Sequence, residues 1–424
     1  MRQTTIGISR FLTSFHSPGL ILTIGNVVYG TSQWGIIVII ARDTGSRHLG
    51  YFAYALAITA PIILLLNFQL ASIEATDTSP DFSFAAYFGT RLLTSLCSVT
   101  LISVYADTGQ LPVTERLVII AVAVAKSIDA ISDIIYGLML RRGLTSYIAI
   151  GMVANGLLSV GFVGIAILLF HSIVAAAAGS AIGSLVSCTL LNARNAVRMV
   201  SVAVVRNWWN RRPRLVWTRL VGLARTGSPL GLVMFLISLN ASAPIYVLEQ
   251  SSNRASVGLY GALLYPTVAL GTVLHSFGNA RLVSLAKAYS NSDTSRFIKL
   301  LIELMLLAIG LGMLLIATVL LYGRQLIFII YGSGFTISDG AFTVLSLGTA
   351  IGLLGSCLGF AMTSSRHFAI QIPVFAAVAG TTFATAVLLV PHMGILGAAW
   401  AVLVGTLVQV LLSSLVVLWA LRSR

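Results

Sequence analysis

Charge is what this sequence has least of. Only 9% of its 424 residues are Asp, Glu, Lys or Arg, against roughly a quarter in an ordinary water-soluble domain. That scarcity excludes a soluble globular protein, because water would find little to solvate over most of its surface. Carboxylates are the scarcer sign, with 12 Asp and Glu against 26 Lys and Arg. Cysteine is also rare. Cys97, Cys188 and Cys357 lie far apart in apolar segments, a pattern that excludes a disulfide framework or a zinc module and leaves small hydrophobes. The chain also lacks a metal-ligand triad, a nucleophile elbow and a phosphate-binding loop, so no enzyme and no cofactor are expected. No cleavable signal sequence is expected either, since Met1–Ser17 is polar and basic and the apolar run after it is long enough to span.

Apolar bulk is abundant. The sequence is 57% hydrophobic with a mean hydropathy of +0.96, so lipid must be its solvent. A hydrocarbon core about 30 Å thick takes roughly 20 helical residues. No charged residue occurs between Arg142 and Arg194 or between Arg366 and Arg422, and each gap holds two spans with a tight turn, at His171-Ser172 and at Pro391–Gly394. Twelve spans are predicted, at 19–41, 50–73, 86–105, 117–139, 146–169, 173–192, 227–248, 257–278, 299–322, 340–363, 368–390 and 396–420. With an even number of spans both termini share a side. Placing them in the cytoplasm puts twenty basic residues in inner segments and five (Arg42, Arg47, Arg116, Arg254 and Arg324) in outer ones, as the positive-inside rule requires. The net charge of +14 therefore reflects topology. It sits at helix ends, not on one basic face, which argues against nucleic acid.

The longest connection, 193–226, carries Arg206-Asn-Trp-Trp-Asn-Arg-Arg-Pro-Arg214, whose tryptophans and arginines suit anionic headgroups. It divides the chain into an N-terminal six-helix lobe (1–192), a basic cytoplasmic linker (193–226) and a C-terminal six-helix lobe (227–424). The halves look related. Leu49–Leu56 matches Val257–Leu264, Ser17-Pro18 matches Ser228-Pro229, and Gly183–Val186 matches Gly405–Val408, in the same order and at slowly drifting offsets. Both halves start inside, so the repeat is parallel, with its axis along the membrane normal.

Ionisable groups within spans are costly and point to function. The fourth span holds Lys126, Asp129 and Asp133 at i, i+3 and i+7, on one helix face. One reading is a substrate- or cation-coupled site; the other is a self-neutralising ladder that orients the helix. Arg91, early in span 3, is either a phosphate contact or a side chain snorkelling to headgroups. Arg42 closes span 1 as a cavity cation or an outer-surface anchor, and Glu249 closes span 7 at a comparable height. Asn26 and Gln33 share a face of span 1, and Asn240 lies in span 7; these line a polar cavity or bond helices together. His275 reads as a packing residue more readily than as a titrating one, and Glu303 is a second candidate carboxylate.

The order of several stretches resembles the polysaccharide flippases of the multidrug/oligosaccharidyl-lipid/polysaccharide (MOP) exporter superfamily. They are Ala41-Arg42 with Gly50–Ala55, Asp133–Arg142, Pro229–Asn240 with Pro244, and Gly394–Ala401. The resemblance implies an all-α membrane protein with two six-helix lobes around a central cavity that opens alternately to each side. It implies an oligosaccharide on polyprenyl pyrophosphate as substrate, moved from the inner to the outer leaflet of the cell inner membrane. H+ or Na+ as coupling ion and a polysaccharide polymerase as partner are further expectations. Cavity residues vary with the glycan, so the site set comes from membrane physics: Arg42, Arg91 and Lys126 with Asn26, Gln33 and Asn240 for substrate, and Asp129, Asp133 and Glu249 for coupling. The alternatives are a multidrug cation antiporter of the same superfamily, which would favour an acidic, aromatic cavity, and a membrane polymerase or ligase, which would carry a large outer catalytic loop.

Overall fold

The computed structural model describes residues 18–76, 82–199, 213–335, 339–365 and 368–422. Within them the chain is helical apart from short connections, and every predicted span overlaps a helix, ten of them lying within one. The helices are α1 (Pro18–Asn67), α2 (Leu70–Thr76), α3 (Phe84–Thr108), α4 (Val113–Arg141), α5 (Thr145–Phe170), α6 (Ile173–Ser187), α7 (Arg194–Met199), α8 (Pro213–Ser251), α9 (Arg254–Ser290), α10 (Thr294–Tyr331), α11 (Asp339–Ser364), α12 (Phe368–Met393) and α13 (Ile395–Arg422). Ten helical stretches among the described residues are long and apolar enough to cross a membrane. The first, Gly19–Thr76, is 58 residues long, which at 1.5 Å per residue suffices for two crossings. Helix α4 stands apart from these ten because of the three charges at mid-length. This is a multi-pass membrane protein.

The loops sort to two ends of the bundle, and polar contacts tie each set together. At one end His171 Nδ1 lies 3.0 Å from Asp43, Arg254 meets Glu115, and Arg42 donates to the carbonyls of Ile329 and Ile330 at the close of α10. At the other end Arg142 donates to the Met199 carbonyl, Tyr289 to that of Ala420, and Arg281 pairs with Glu303. Leu22, near the start of α1, packs there with Leu144 and Met199.

Several boundaries differ from the sequence reading, each for a local reason. The first two spans form one long helix broken only at Gly45, whose φ of 76° is a left-handed conformation suited to glycine. Span 2 ends early, because Phe68 and Gln69 both take positive φ; a Cβ on Gly227 of α8 would collide with the Phe68 backbone, so α8 packs tightly on this break. The predicted turn at Pro391–Gly394 shrinks to Gly394, with Pro391 and His392 in the last turn of α12. The expected linker is helical at Arg194–Met199 and again from Pro213. Most of its basic cluster, Arg206 to Arg212, lies outside the described residues, as do Met1–Ser17 and Arg366. Between α6 and α7 the chain makes a π turn at Cys188–Ala193.

Lipid offers no hydrophobic drive for helices to associate, so close contact falls to small residues. Large side chains such as Leu168, Leu169, Phe170, Leu320 and Leu321 point outward. The helices meet at glycines instead. The contact between α1 and α9 carries the repeat's symmetry. A Cβ on Gly50 would strike the carbonyl of Arg254, and a Cβ on Gly258 would strike that of Ser46. Gly258 follows Gly50, and Arg254 follows Ser46, by the same 208 residues. The contact is reciprocal, as a two-fold axis between equivalent surfaces demands.

Candidate functional site

A cavity of about 300 Å³ opens inside the N-terminal half, at the lower end of ligand-site volumes. It is lined by α1 (Tyr29, Leu56, Thr59, Asn67), α4 (Lys126, Asp129, Asp133, Tyr136) and α5 (Met152, Asn155). These residues run from mid-membrane toward the end that holds Arg142 and Met199. The charged face of α4 therefore points into the bundle, as its cost in lipid dictates.

Asp129 is the hub. One carboxylate oxygen accepts from Asn155 Nδ2 at 2.9 Å and Ser184 Oγ at 2.8 Å. The other accepts from Tyr29 Oη at 3.0 Å and Lys126 Nζ at 3.3 Å. Ser159 donates to Asn155 in turn. Four donors on a carboxylate fix it in place. Lys126 Nζ also donates to Gln33 Oε1 at 2.9 Å, which carries its ammonium from α4 across to α1. Both readings of the i, i+3, i+7 pattern thus meet here. Lys126 and Asp129 form a ladder pair, and Asp133 stays outside it. Asp133 is exposed to the cavity and makes no hydrogen bond or ion pair with the described residues.

Arg91 is 1% exposed and does not snorkel. It reaches from α3 to donate to Asn67 Oδ1, a cavity-lining residue, and its field acts on Asp133. Tyr136 lines the cavity beside Asp133 and accepts from Asn192 Nδ2 at 3.1 Å. The π turn sets that fully buried asparagine against it, a use to which such turns are often put.

The cavity therefore unites Lys126, Asp129 and Asp133, with Gln33 joined through its bond to Lys126 and Arg91 through its bond to Asn67. Other sequence candidates lie elsewhere. Arg42 sits at the far end of the bundle, tying α1 to the C-terminus of α10, because the helix extends past the predicted span and carries it beyond the cavity. Glu249 lies at that same end, 2.9 Å from Arg254. Asn240 belongs to the C-terminal half, near Thr382 and Gly405. Asn26 is half-buried on α1 and does not line the cavity. His275 packs edge-on against Phe360, and Glu303 pairs with Arg281 near the surface. Tyr29, Asn155, Ser184 and Asn192 were missed, since scattered polar residues in apolar helices give no signal until the helices are packed. Among the described residues no group of three His, Cys, Asp or Glu is placed to hold a metal ion.

Comparison with known proteins adds the frame. A variant of the MATE transporter VcmN of Vibrio cholerae superimposes with a TM-score of 0.67 at 12% identity, over 98% of each chain. A MOP-superfamily transporter of Pyrococcus furiosus, its binding pocket described as of reverse polarity and suggesting a different function, superimposes at 0.64 with 14% identity over 95% of this chain and 93% of that one. This chain has the fold of the MOP-superfamily transporters. That fold matches the predicted all-α architecture of two six-helix lobes. In sequence, the MOP-fold chain is 23% identical over 390 residues to the capsular polysaccharide biosynthesis protein CapF of Staphylococcus aureus, covering 92% of this chain and 95% of CapF. No family model matches the chain.

Proposed function

We propose that this protein moves a polyprenyl-pyrophosphate-linked oligosaccharide from the inner to the outer leaflet of the cell inner membrane by alternating access, with both termini cytoplasmic. In this reading residues 1–192 and 227–424 are the two lobes, joined by the basic segment 193–226. The observation that carries the reading is Lys126, a cavity-lining ammonium held between α1 and α4, with the Arg91 guanidinium behind Asn67. A pyrophosphate and its sugars cannot shed water into hydrocarbon. A wet cavity with fixed cations replaces that hydration, while the polyprenyl tail stays in lipid. Lys126 is tethered to Gln33 and Asp129, so an entering anion has only to displace one neutral partner. Asp133, open to the cavity, is assigned the cation exchange in this reading, and Asp129 the counter-charge to Lys126. Glycan transport is further supported by the sequence likeness to CapF over nearly the whole chain.

The second reading is a multidrug cation antiporter of the same fold, favoured by the Asp133 carboxylate, which faces the cavity without a hydrogen bond or ion pair among the described residues. Export separates the two. Deleting the gene traps lipid-linked glycan on the inner leaflet if glycan is the cargo, and normal surface polymer in the deletion strain would refute this. Sensitivity to organic cations, with normal polymer, would establish the antiporter.

A further inference from the structure

At the end of the bundle away from the cavity, one cation bridges the two halves. Arg254 opens α9 in the C-terminal half. Its Nη2 lies 2.5 Å from Glu115 Oε1 at the start of α4, and its Nε lies 3.2 Å from Glu115 Oε2. This is a two-point contact of the kind a guanidinium fork makes with a carboxylate. The same Nη2 is 2.9 Å from Glu249, five residues earlier in the same half. The guanidinium carbon stands 4.4 Å from the centre of the Tyr54 ring, and Tyr54 Oη meets Tyr105 Oη at 3.1 Å. Glu115 is 1% exposed. The Gly50–Gly258 crossing on the pseudo-two-fold axis adjoins this cluster through the Arg254 backbone. Trp34 Nε1 donating to Tyr331 Oη at 3.0 Å and Arg42 on the α10 carbonyls join the halves at the same level.

We infer that the Glu115–Arg254 pair is the latch that holds this end of the transporter closed, with Glu249 as the holder that keeps Arg254 in its own half. Alternating access requires this end to part. When it does, Arg254 travels with α9 and keeps Glu249, because both belong to the α8–α9 hairpin. The contact that breaks is the one to Glu115. A buried carboxylate that loses its cation is strongly penalised, so the end opens only as water reaches Glu115. The two carboxylates on one arginine therefore differ in role. The inference rests on the alternating opening of the fold and not on what is carried.

The test is a single reporter cysteine. Ala60 lines the cavity; Ala60→Cys is placed in a chain with Cys97, Cys188 and Cys357 replaced. Right-side-out vesicles are labelled with a membrane-impermeant maleimide, and inverted vesicles give the rate from the open end. In the parent the reporter labels fast only in inverted vesicles. Glu115→Gln raises the rate in right-side-out vesicles about tenfold, since a lost buried contact shifts a two-state balance by at least that much. Glu249→Gln raises it less than about threefold, because the Glu249–Arg254 pair lies within one half and is kept in both states, so it biases neither. The double variant Glu115→Gln/Arg254→Gln, which leaves no lone buried charge, labels as fast as Glu115→Gln and carries the test where the single variant fails to accumulate. Parental labelling in the double variant overturns the latch. Equal opening by Glu249→Gln overturns the division of roles. Neither outcome touches the glycan reading, which only export measures.

Discussion

Replacing Asp129 by Asn separates the structural part of the cavity from its working part. Asp129 accepts from Tyr29, Lys126, Asn155 and Ser184, and an amide offers one acceptor oxygen in place of two. The Tyr29 and Ser184 hydroxyls can turn to accept from the new NH2 group, so their loss is small. Asn155 can follow only by breaking its bond with Ser159. Lys126 keeps Gln33 but loses its counter-charge. Bonds to charged groups contribute about 1.5–3 kcal/mol each, and breaking a fully buried pair costs about 3–5 kcal/mol. Here the Lys126 and Asp129 side chains are 29% and 17% exposed, so solvent screening lowers the sum to about 2–3 kcal/mol. Asp133→Asn removes no bond to a described residue, and the repulsion from Asp129 that it relieves offsets part of the attraction to Arg91 that it loses, so its effect is about 1 kcal/mol or less. Cys188 and Cys357 are buried and serve as unfolding reporters. In a Cys97→Ser background, thiol-reactive dye fluorescence follows thermal unfolding in detergent. Asp129→Asn unfolds several degrees earlier than its parent, whereas Asp133→Asn unfolds close to the parent. Equal melting of Asp129→Asn and parent would refute the hub, and a large loss in Asp133→Asn would refute its freedom.

Asp133→Asn slows glycan export while the protein still inserts and accumulates, as immunoblotting alongside surface-polymer staining will show; full export would return Asp133 to a passive role. Gly258→Leu drives a side chain into the Ser46 carbonyl and forces α1 and α9 apart, so folded protein recovered by size exclusion falls sharply; full recovery would refute the glycine contact. Arg42→Gln removes bonds to two α10 carbonyls, each worth about 1 kcal/mol, and so lowers the melting temperature modestly without changing substrate affinity. A selective loss of affinity would put Arg42 back in the cavity.

How far the sequence could be read follows from what each feature depends on. Span positions depend on apolar length, and ten of the twelve lie within a single helix, while span 2 crosses the break at Phe68-Gln69 and span 6 runs into the π turn. The face shared by Lys126, Asp129 and Asp133 depends on helix periodicity alone, and it lines the cavity. The relation of Gly50 to Gly258 was visible as a repeat; its meaning as a reciprocal contact needed the packed helices. Arg254 counted among outer-loop charges, because nothing near it in the chain points to Glu115, 139 residues away. The break at Phe68-Gln69 has no glycine or proline to announce it and depends on α8 packing against it. Arg42 fits the outer-anchor reading of the two the sequence allowed, because the helix continues past the predicted span and holds it on the α10 carbonyls.

The most direct test of the central claim is leaflet exchange by the purified protein. Proteoliposomes carrying a fluorescent polyprenyl-pyrophosphate-linked oligosaccharide are treated with an impermeant quencher, and the rate at which inner-leaflet probe becomes quenched is recorded. Exchange well above protein-free vesicles is expected, reduced about tenfold or more by Lys126→Gln, the loss that follows when a charge-assisted contact of about 1.5–3 kcal/mol is removed. Exchange no faster than in protein-free vesicles, from protein that expels an organic cation dye from the same vesicles, would contradict it.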